Sequence, residues 1–478
     1  MKQQAYNPYL PSYEYIPDAE PHIFGDRVYI YGSHDRFNGA FFCMNDYVCY
    51  SAPIDDLSSW RYEGVIWRKK DDPSRPPLIL KQLYAPDVVQ GNDGRFYLYY
   101  FKGSMGIIGV AVCDTPAGKY KFHGYVRYPN GTLLGRNHES DLAQFDPGVF
   151  RDDDGKIYLY TGFGEKKPNI FTRFRPVNYH GAMGVELEND MLTIKENTLT
   201  RIAKTQHCSQ GTGYEGHEFF EASSMRKFEG KYYFIYSSVL GHELCYAIGD
   251  SPLGEFKYGG TLVSIGDVGL AKEPMNYLGN THGSLIKIKD DYYVFYHRQT
   301  NRHCHSRQAC AEKIIRNPDG TFSQAELTSC GLNGGPLKGE GKYPAYIACH
   351  LYKRGEPKFL TAKIAKGHHP YFTQTGKDRE ERGDQYVANF GDDCVLGFKY
   401  FDFAKDEVEV SLLLSGKPQG TLRIKDSPDG KELGTIALHP TSGKEAFHTN
   451  VAIGTGIKAL YFDFVGSGRF DIFELEIQ

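Results

Sequence analysis

The chain has 478 residues, and its 55 basic and 59 acidic side chains give a formal net charge of −4. That balance provides no basic surface for nucleic acid or an anionic membrane, and no run of 18 apolar residues predicts a transmembrane helix. We therefore expect neither as a partner. The first 15 residues lack the apolar core of a secretory signal, so we expect a cytoplasmic protein, and a homo-oligomer is compatible with the sequence.

A short tyrosine-rich pattern recurs along the first two-thirds of the chain. Each copy has a turn residue, an apolar or aromatic residue, a tyrosine and then alternation, which is typical of strands. The copies lie 60 to 75 residues apart, a spacing that fits four-stranded propeller blades with extended loops. We predict an all-β fold whose residues 1–325 form a five-bladed β-propeller. The copies are DRVYIYGSHD (26–35), GRFYLYYFKG (94–103), GKIYLYTGFG (155–164), GKYYFIYSSV (230–239) and DDYYVFYHRQ (290–299).

A polar residue precedes the central tyrosine of every copy by 10 to 12 residues. An acid beside Pro or Gly usually caps a turn, and each of the five could do so singly. Turn capping gives no reason, however, for all five to fall at one phase of a long repeat. Because the first strand of each blade lines the axis, we predict that the five converge on one pocket. They are Asp18, Asp87, Asp146, Glu221 and His282.

Clustered carboxylates in a neutral, aromatic-rich chain point to glycoside hydrolysis, which needs one protonated acid and one ionised carboxylate. Glu221 follows Phe219 and Phe220, an apolar setting that would raise its pKa and keep it protonated. Asp18 lies in a polar, proline-rich loop and can stay ionised as a base. A negative charge on Asp146 would raise the pKa of Glu221 further.

The order of motifs resembles glycoside hydrolase family 43 over about residues 7–325: NPYLP, PDAEPHIF, VYIYGSHD, YAPDVV, FDPGVF, EASSMRK, GKYYFIYS, NTHGS and YYVFYHR. The resemblance implies a five-bladed propeller and an inverting mechanism. In it Asp18 matches the general base, Glu221 the general acid, and Asp146 the residue that modulates the pKa of the acid and orients it.

The same resemblance assigns three further positions. His282 matches an axial histidine that supports a water network or a calcium ion in the central channel, so it is a candidate for substrate and metal binding, and no other cofactor is expected. Arg298 matches a substrate-contacting arginine. Asp87 lies outside the catalytic trio and is either structural or part of a substrate subsite.

Two motifs depart from the family pattern. PDAE stands where Ala-Asp-Pro is commoner, which makes Glu20 a rival base, although the spacing to the following strand favours Asp18. EAS replaces Glu-Gly-Pro around the acid, and Glu215 and Glu218 are neighbouring alternatives that do not lie at the repeat phase.

The composition changes after residue 325. A glycine-rich stretch predicts a linker over 326–343, and alternating strands over 344–478 predict a β-sandwich of jelly-roll type. This part resembles a family 6-type carbohydrate-binding module. Both tryptophans, Trp60 and Trp67, lie in the propeller, so the sandwich lacks the usual stacking aromatic. Packing, oligomerisation or closing one side of the active site are alternative roles.

The leading hypothesis is an exo-acting glycosidase that removes terminal α-L-arabinofuranose or β-D-xylose from plant-derived oligosaccharides, its substrate partners. Three alternatives stay open: a galactose-directed exo-enzyme, a non-catalytic glycan-binding propeller, and a retaining hydrolase of the fructan-cleaving type. Ten cysteines without CxxC pairs suggest free thiols, and the cluster of His303, Cys304, His305 and Cys310 matches no usual zinc spacing.

Overall fold

The structure is a computed structural model that describes residues 3–74, 81–103, 106–136, 144–164, 182–355, 369–379 and 383–478. Over these ranges the chain folds into 31 β-strands joined by turns and short 3-10 turns, in agreement with the predicted all-β class. No helix within the same ranges is long and apolar enough to cross a membrane.

The first four sheets are four-stranded antiparallel blades, each ordered as a meander along the chain. The Tyr-rich repeats supply the second strand of each, where alternation buries the aromatic side chains between blades. Their strands are β1 (Glu20–Phe24), β2 (Arg27–Tyr31), β3 (Tyr47–Pro53) and β4 (Arg61–Trp67); β5 (Asp87–Gln90), β6 (Phe96–Phe101), β7 (Ile108–Cys113) and β8 (Lys121–Tyr125); β9 (Gly148–Arg151), β10 (Ile157–Thr161), β11 (Met183–Leu187) and β12 (Thr200–Arg201); and β13 (Phe219–Phe228), β14 (Lys231–Ser238), β15 (Glu243–Gly249) and β16 (Phe256–Ser264).

The fifth sheet has three strands, β17 (Ser284–Ile288), β18 (Asp291–Gln299) and β19 (Arg307–Ile314). The N-terminal segment lies along its outer edge: the amide of Tyr9 donates to Ala309 O at 3.2 Å, and Asn7 exchanges two side-chain hydrogen bonds with the backbone of Ala311. The first strands of the five sheets contact one another in the cyclic order β1, β5, β9, β13, β17 and back to β1. The propeller is therefore closed around one axis.

The C-terminal region forms two packed sheets around a single apolar core. One sheet has the order β20-β25-β30-β27-β28, with β22 also on β25, and the other β23-β24-β31-β26-β29, with β21 also on β31. The strands are β20 (Leu337–Lys338), β21 (Gly341–Pro344), β22 (His350–Lys353), β23 (Tyr371–Gln374), β24 (Gln385–Gly391), β25 (Cys394–Phe403), β26 (Glu407–Gly416), β27 (Gln419–Lys425), β28 (Glu432–Leu438), β29 (Glu445–Ala452), β30 (Gly456–Ser467) and β31 (Arg469–Ile477).

The predicted linker over 326–343 needs correction, because β20 and most of β21 lie inside it and pair with β25 and β31. Glu326 also belongs to a contact between the two regions: Lys399 of the sandwich binds both Glu326, at 2.7 Å, and Asp267 of the propeller, at 3.2 Å. The glycine-rich stretch is thus part of the sandwich and not a free spacer.

All ten cysteines are unpaired. Those in the predicted His–Cys cluster do not assemble a metal site: the Cys310 thiol points at Gln308 O, and His303 accepts a hydrogen bond from the amide of His305. Among the described residues, no compact group of potential metal ligands includes any of the four.

Candidate active site

A cavity of about 230 Å³ lies at one end of the propeller axis. Four of the five in-phase residues line it, each brought by a different blade: Asp18 just before β1, Asp146 just before β9, Glu221 in β13 and His282 just before β17. Both polar side chains and aromatic rings line it. The complete lining is Asp18, Phe42, Cys43, Tyr84, Phe145, Asp146, Phe163, Phe220, Glu221, Asn280, His282 and Arg307.

The backbone leaves regular strand geometry where the acids enter the cavity. Asp18 and Asp146 have φ of 60° and 40°, and Ala222, next to Glu221, has φ of 71°. Non-glycine residues rarely adopt such values, and they collect at functional sites held by the surrounding fold. The left-handed conformations of Asp18 and Asp146 occur where these two residues reach the cavity.

A β-bulge in β13 explains how two consecutive residues face one cavity. The pairing of β13 with β14 shifts register between Phe219 and Glu221 and again between Glu221 and Ser224. Successive side chains of a regular strand would point to opposite sides, whereas here Phe220 and Glu221 both line the pocket. Gly148 packs against this bulge so closely that a Cβ would lie 2.2 Å from Ser223 O, which lets the Asp146 turn approach the acid.

Asp18 is held as a carboxylate by Arg307. The guanidinium donates to Asp18 Oδ1 at 2.9 Å from a side chain that is itself 2% exposed. Burial alone would raise the pKa of Asp18, but the charges of Arg307 and His282 outweigh it and hold that pKa well below its usual range. The Nε2 of His297 donates to Asn280 O at 2.8 Å, which leaves Nδ1 to accept the backbone N–H of Asp18.

Glu221 has the opposite protonation. Removal from water and the nearby charge of Asp146 raise its pKa to about 8, against the smaller opposing effects of His282 and Arg307. The apolar surroundings come from a chain of rings: Phe145 and Phe163 lie 4.9 Å apart between centroids, and Phe163 and Phe220 5.1 Å. At pH 7 the pocket therefore contains Glu221 as a carboxylic acid and Asp18 as a carboxylate.

Asp146 and His282 connect these two groups. His282 Nδ1 lies 3.5 Å from Asp146 Oδ2, and its Nε2 lies 4.0 Å from Glu20 Oε1. Burial lowers the pKa of His282, but Asp146, Asp18 and Glu20 reverse this and raise it to about 9. Burial also raises the pKa of Asp146, and the contact with His282 opposes that rise. The net shift of the Asp146 pKa is upward, and the imidazolium favours the ionised form of Asp146 against that shift.

The side chains around His282 do not fit a direct calcium site. Calcium takes about six to eight oxygen ligands in proteins. The described residues near His282 offer the carboxylates of Glu20 and Asp146, each with one oxygen that accepts no hydrogen bond among them. We therefore route no step of the reaction through a metal ion.

A second group of potential ligands, His217, Glu243 and Cys245, lies in the fourth blade. Its carboxylate is already saturated by hydrogen bonds: Glu243 accepts from His217 at 2.7 Å, from Ser238 at 2.6 Å and from Thr261 at 3.1 Å. These bonds explain the cluster as a polar crosslink between strands.

The in-phase acid Asp87 and the rival base Glu20 lie outside the cavity lining. Asp87 is fully buried and accepts from His22 at 2.6 Å and from the amide of Val149 at 2.8 Å, so it ties the first three blades together and is not a substrate contact. Glu20 accepts from Arg226 at 2.7 Å and from Ser224 at 3.0 Å. Its place in β1, among these partners, makes it structural.

The two other acids that could be mistaken for Glu221 also lie elsewhere. Glu215 is exposed and accepts from the amide of Gly211, and Glu218 accepts from Ser209 Oγ at 3.0 Å. Neither lines the cavity.

The arginine prediction is wrong in position. Arg298 is buried against the sandwich: it donates to Gln308 Oε1 at 2.8 Å and to Ala348 O at 3.1 Å, and its guanidinium lies 3.8 Å from the centroid of the Phe372 ring. Arg307, on the next strand, is the arginine of the cavity. The sequence signal that could have found it is an arginine two residues ahead of the apolar run Ala309–Ala311 in the strand RQACAEKI.

Comparisons with known proteins show the family of the chain. The sequence model described as Glycosyl hydrolases family 43 matches residues 14–322, which contain every acid of the cavity. A protein of Thermoclostridium stercorarium named Xylosidase/arabinosidase is 50% identical over 475 residues, which cover 98% of each chain.

Solved structures agree as well. A family 43 beta-xylosidase/alpha-arabinofuranosidase from a compost microbial metagenome, in complex with xylotriose, aligns with a TM-score of 0.52 and 27% identity over 68% of this chain and 98% of its own. A Bacillus subtilis arabinoxylan arabinofuranohydrolase aligns with a TM-score of 0.51 and 21% identity over 99% and 97% of the two chains. The second match extends the likeness in fold to the sandwich.

Proposed function

This chain belongs to family 43 of the glycosyl hydrolases, and on that premise we propose that it is an inverting, exo-acting glycosidase that releases terminal β-D-xylose or α-L-arabinofuranose from plant-derived oligosaccharides. One observation carries the assignment of roles: a single cavity contains a carboxylate held ionised, Asp18, and a carboxylic acid held protonated, Glu221. A site that only binds glycans has no need for this contrast.

Glu221 is the general acid. Cleavage of the glycosidic bond develops negative charge on the departing oxygen, and a proton from Glu221 neutralises it as the bond breaks. The pKa of about 8, raised first by burial, keeps that proton in place at neutral pH.

Asp18 is the general base. It accepts a proton from a water molecule whose oxygen attacks the anomeric carbon from the face opposite the leaving group, so the configuration inverts. Arg307 keeps Asp18 ionised until that proton arrives, and Asp35 fixes Arg307 through hydrogen bonds of 2.8 and 3.1 Å. Water and glycoside are consumed, and a free sugar and an alcohol are produced.

The size of the cavity supports action on one terminal sugar. Its volume of about 230 Å³ is below the roughly 300 to 1,000 Å³ of pockets that enclose drug-sized ligands. Three relatives are named xylosidase/arabinosidase, and their similarity to this chain supports a pentose in the pocket.

The test is a panel of 4-nitrophenyl glycosides: β-D-xylopyranoside, α-L-arabinofuranoside, β-D-galactopyranoside and β-D-galactofuranoside, followed by proton NMR of the released sugar. We expect hydrolysis of a pentoside with the opposite anomer appearing first. Hydrolysis of a galactoside alone would overturn the pentose assignment, and first appearance of the retained anomer would overturn the mechanism.

A further inference from the structure

A loop of the sandwich contacts the propeller next to the active site. It follows β23 and carries Asp378 onto the propeller segment 33–45, called here the pocket segment, and Arg379 onto Glu14 beside that segment. Phe42 and Cys43 of the pocket segment line the cavity. The contact therefore joins the C-terminal region to the wall of the catalytic pocket.

Asp378 binds the pocket segment at two points. Its Oδ1 accepts the backbone N–H of Phe37 at 2.7 Å, and its Oδ2 accepts from the side-chain amide of Asn45 at 3.0 Å. The same Asn45 amide donates to Asp35 O at 2.9 Å, and the backbone N–H of Asn45 donates to His34 O at 2.9 Å. One carboxylate thus joins both ends of the turn that carries the pocket residues.

The pocket segment in turn positions Arg307. Asp35 Oδ1 accepts the backbone N–H of Cys43 at 2.8 Å, and its two oxygens accept from the guanidinium of Arg307. The remaining guanidinium nitrogen reaches Asp18. The ring of Phe42 covers the guanidinium, with 4.9 Å between the guanidinium carbon and the ring centroid. A continuous series of hydrogen bonds therefore runs from the sandwich to the general base.

Arg379 forms a second attachment beside the first. It donates to Glu14 Oε1 at 2.8 Å, and Glu14 is 1% exposed and lies 3.2 Å from His34 at its other oxygen. Nearby, Tyr15 OH donates to Gln374 of β23 at 2.8 Å, and Tyr15 O accepts the amide of Asp35 at 2.9 Å. Both ends of the pocket segment are consequently tied to one edge of the sandwich.

We propose that the sandwich is a positioning element of the active site, and that Asp378 is the positioning residue that keeps the pocket segment in the conformation in which Asp35 directs Arg307 onto Asp18. This inference rests on the proposed role of Asp18 as base. It gives the C-terminal region a task in catalysis that requires no carbohydrate bound to the sandwich itself.

The pH dependence of the reaction reports on this arrangement. When Arg307 is less well placed, the pKa of Asp18 rises, and activity is then lost at a higher pH on the acidic side. The titratable and charged groups that surround Asp18 are Arg307 of β19, His297 of β18, His282, Asp146, Glu221 of β13, Cys43, and Tyr47 of β3. Asp378 touches none of these directly, so a change in its side chain acts only through the pocket segment.

The experiment compares Asp378→Ala and Asp378→Asn with the wild type as full-length chains. Asparagine retains an acceptor for Phe37 but loses the acceptor for Asn45, so it should give the smaller effect. On the 4-nitrophenyl pentoside that the wild type cleaves, we expect Asp378→Ala to lower kcat roughly 10- to 100-fold with little change in KM. We also expect the acidic limb of the pH profile of Asp378→Ala to lie at a higher pH than in the wild type. Hydrogen exchange at residues 34–45 should be faster than in the wild type.

Lys399→Met is the matched control, because Lys399 joins sandwich and propeller through Asp267 and Glu326, neither of which lines the cavity. It should lower Tm while kcat, the acidic limb and exchange at 34–45 stay as in the wild type. If Asp378→Ala keeps the kcat and the hydrogen exchange of the wild type, the inference is overturned. It is also overturned if Lys399→Met loses as much kcat as Asp378→Ala. A wild type inactive on every glycoside would instead refute the proposed function, and exchange at 34–45 would still decide whether Asp378 holds the segment.

Discussion

Arg307 donates to Asp18 at 2.9 Å with one guanidinium nitrogen while its other two bind Asp35. A planar group with several donors can do this, whereas a lysine ammonium cannot meet both partners in the same geometry. The base is thereby oriented as well as kept ionised.

Arg307→Lys should therefore leave a positive charge in the pocket and still damage the base. We expect kcat/KM to fall by about 10²-fold, because a misplaced catalytic group commonly costs that much. We expect the acidic limb of the pH profile to move to higher pH, because Asp18 must be ionised to act and its pKa rises when the contact with Arg307 weakens. An acidic limb at the wild-type position would show that Arg307 does not control the base.

Arg298→Met tests the corrected arginine assignment. Arg298 packs on Phe372 of the sandwich and bonds to Gln308 and Ala348, so its removal should lower Tm. KM for the pentoside should stay within about twofold of the wild type, since such a variant removes no substrate contact. A large rise in KM with unchanged Tm would show that Arg298 contacts the substrate after all.

Asp18→Asn and Glu20→Gln separate the two rival bases. The first removes the general base, and such groups typically contribute about 10²- to 10⁴-fold to the rate. The second removes a charge that pairs with Arg226, so we expect a lower Tm and nearly wild-type kcat. Equal loss of kcat in both variants, at a temperature where both are folded, would place the base at Glu20.

Asp146→Asn tests the control of the acid. Glu221 must be protonated to act, so activity should be lost as pH rises through its pKa of about 8. Removal of the negative charge of Asp146 lowers that pKa, and the basic limb of kcat/KM should move to lower pH. This is checked by comparing the pH of the basic limb in Asp146→Asn and in the wild type. A basic limb at the wild-type pH would show that Asp146 does not control the pKa of Glu221.

The repeat phase predicted backbone positions correctly but could not predict side-chain directions. Asp18 and Asp146 have left-handed φ and turn toward the cavity, whereas Asp87 is the first residue of a regular strand and its side chain bonds into the blades. The local sequence does not indicate this difference in side-chain direction, because it arises from the packing of neighbouring blades.

The arginine assignment failed for a related reason. Arg298 pairs with Gln308 and Gln299 with Arg307 on neighbouring strands, so the two arginines occupy adjacent rungs of one ladder. A shift of one residue exchanges the faces of a strand, and sequence alone does not fix which face meets the pocket. The contacts of Asp378 are equally invisible in the sequence, since that residue lies more than 300 positions from the segment it holds.

The role of Glu221 as general acid is tested most directly by measuring how the activity of Glu221→Gln depends on the leaving group of the substrate. Wild type and variant would be compared on xylobiose and on the 4-nitrophenyl xyloside, whose leaving group needs little protonation. We predict that Glu221→Gln loses roughly 10²- to 10⁴-fold in activity on the disaccharide and much less on the aryl glycoside. Equal losses on both substrates, or none on the disaccharide, would contradict the assignment of Glu221 as the protonated acid.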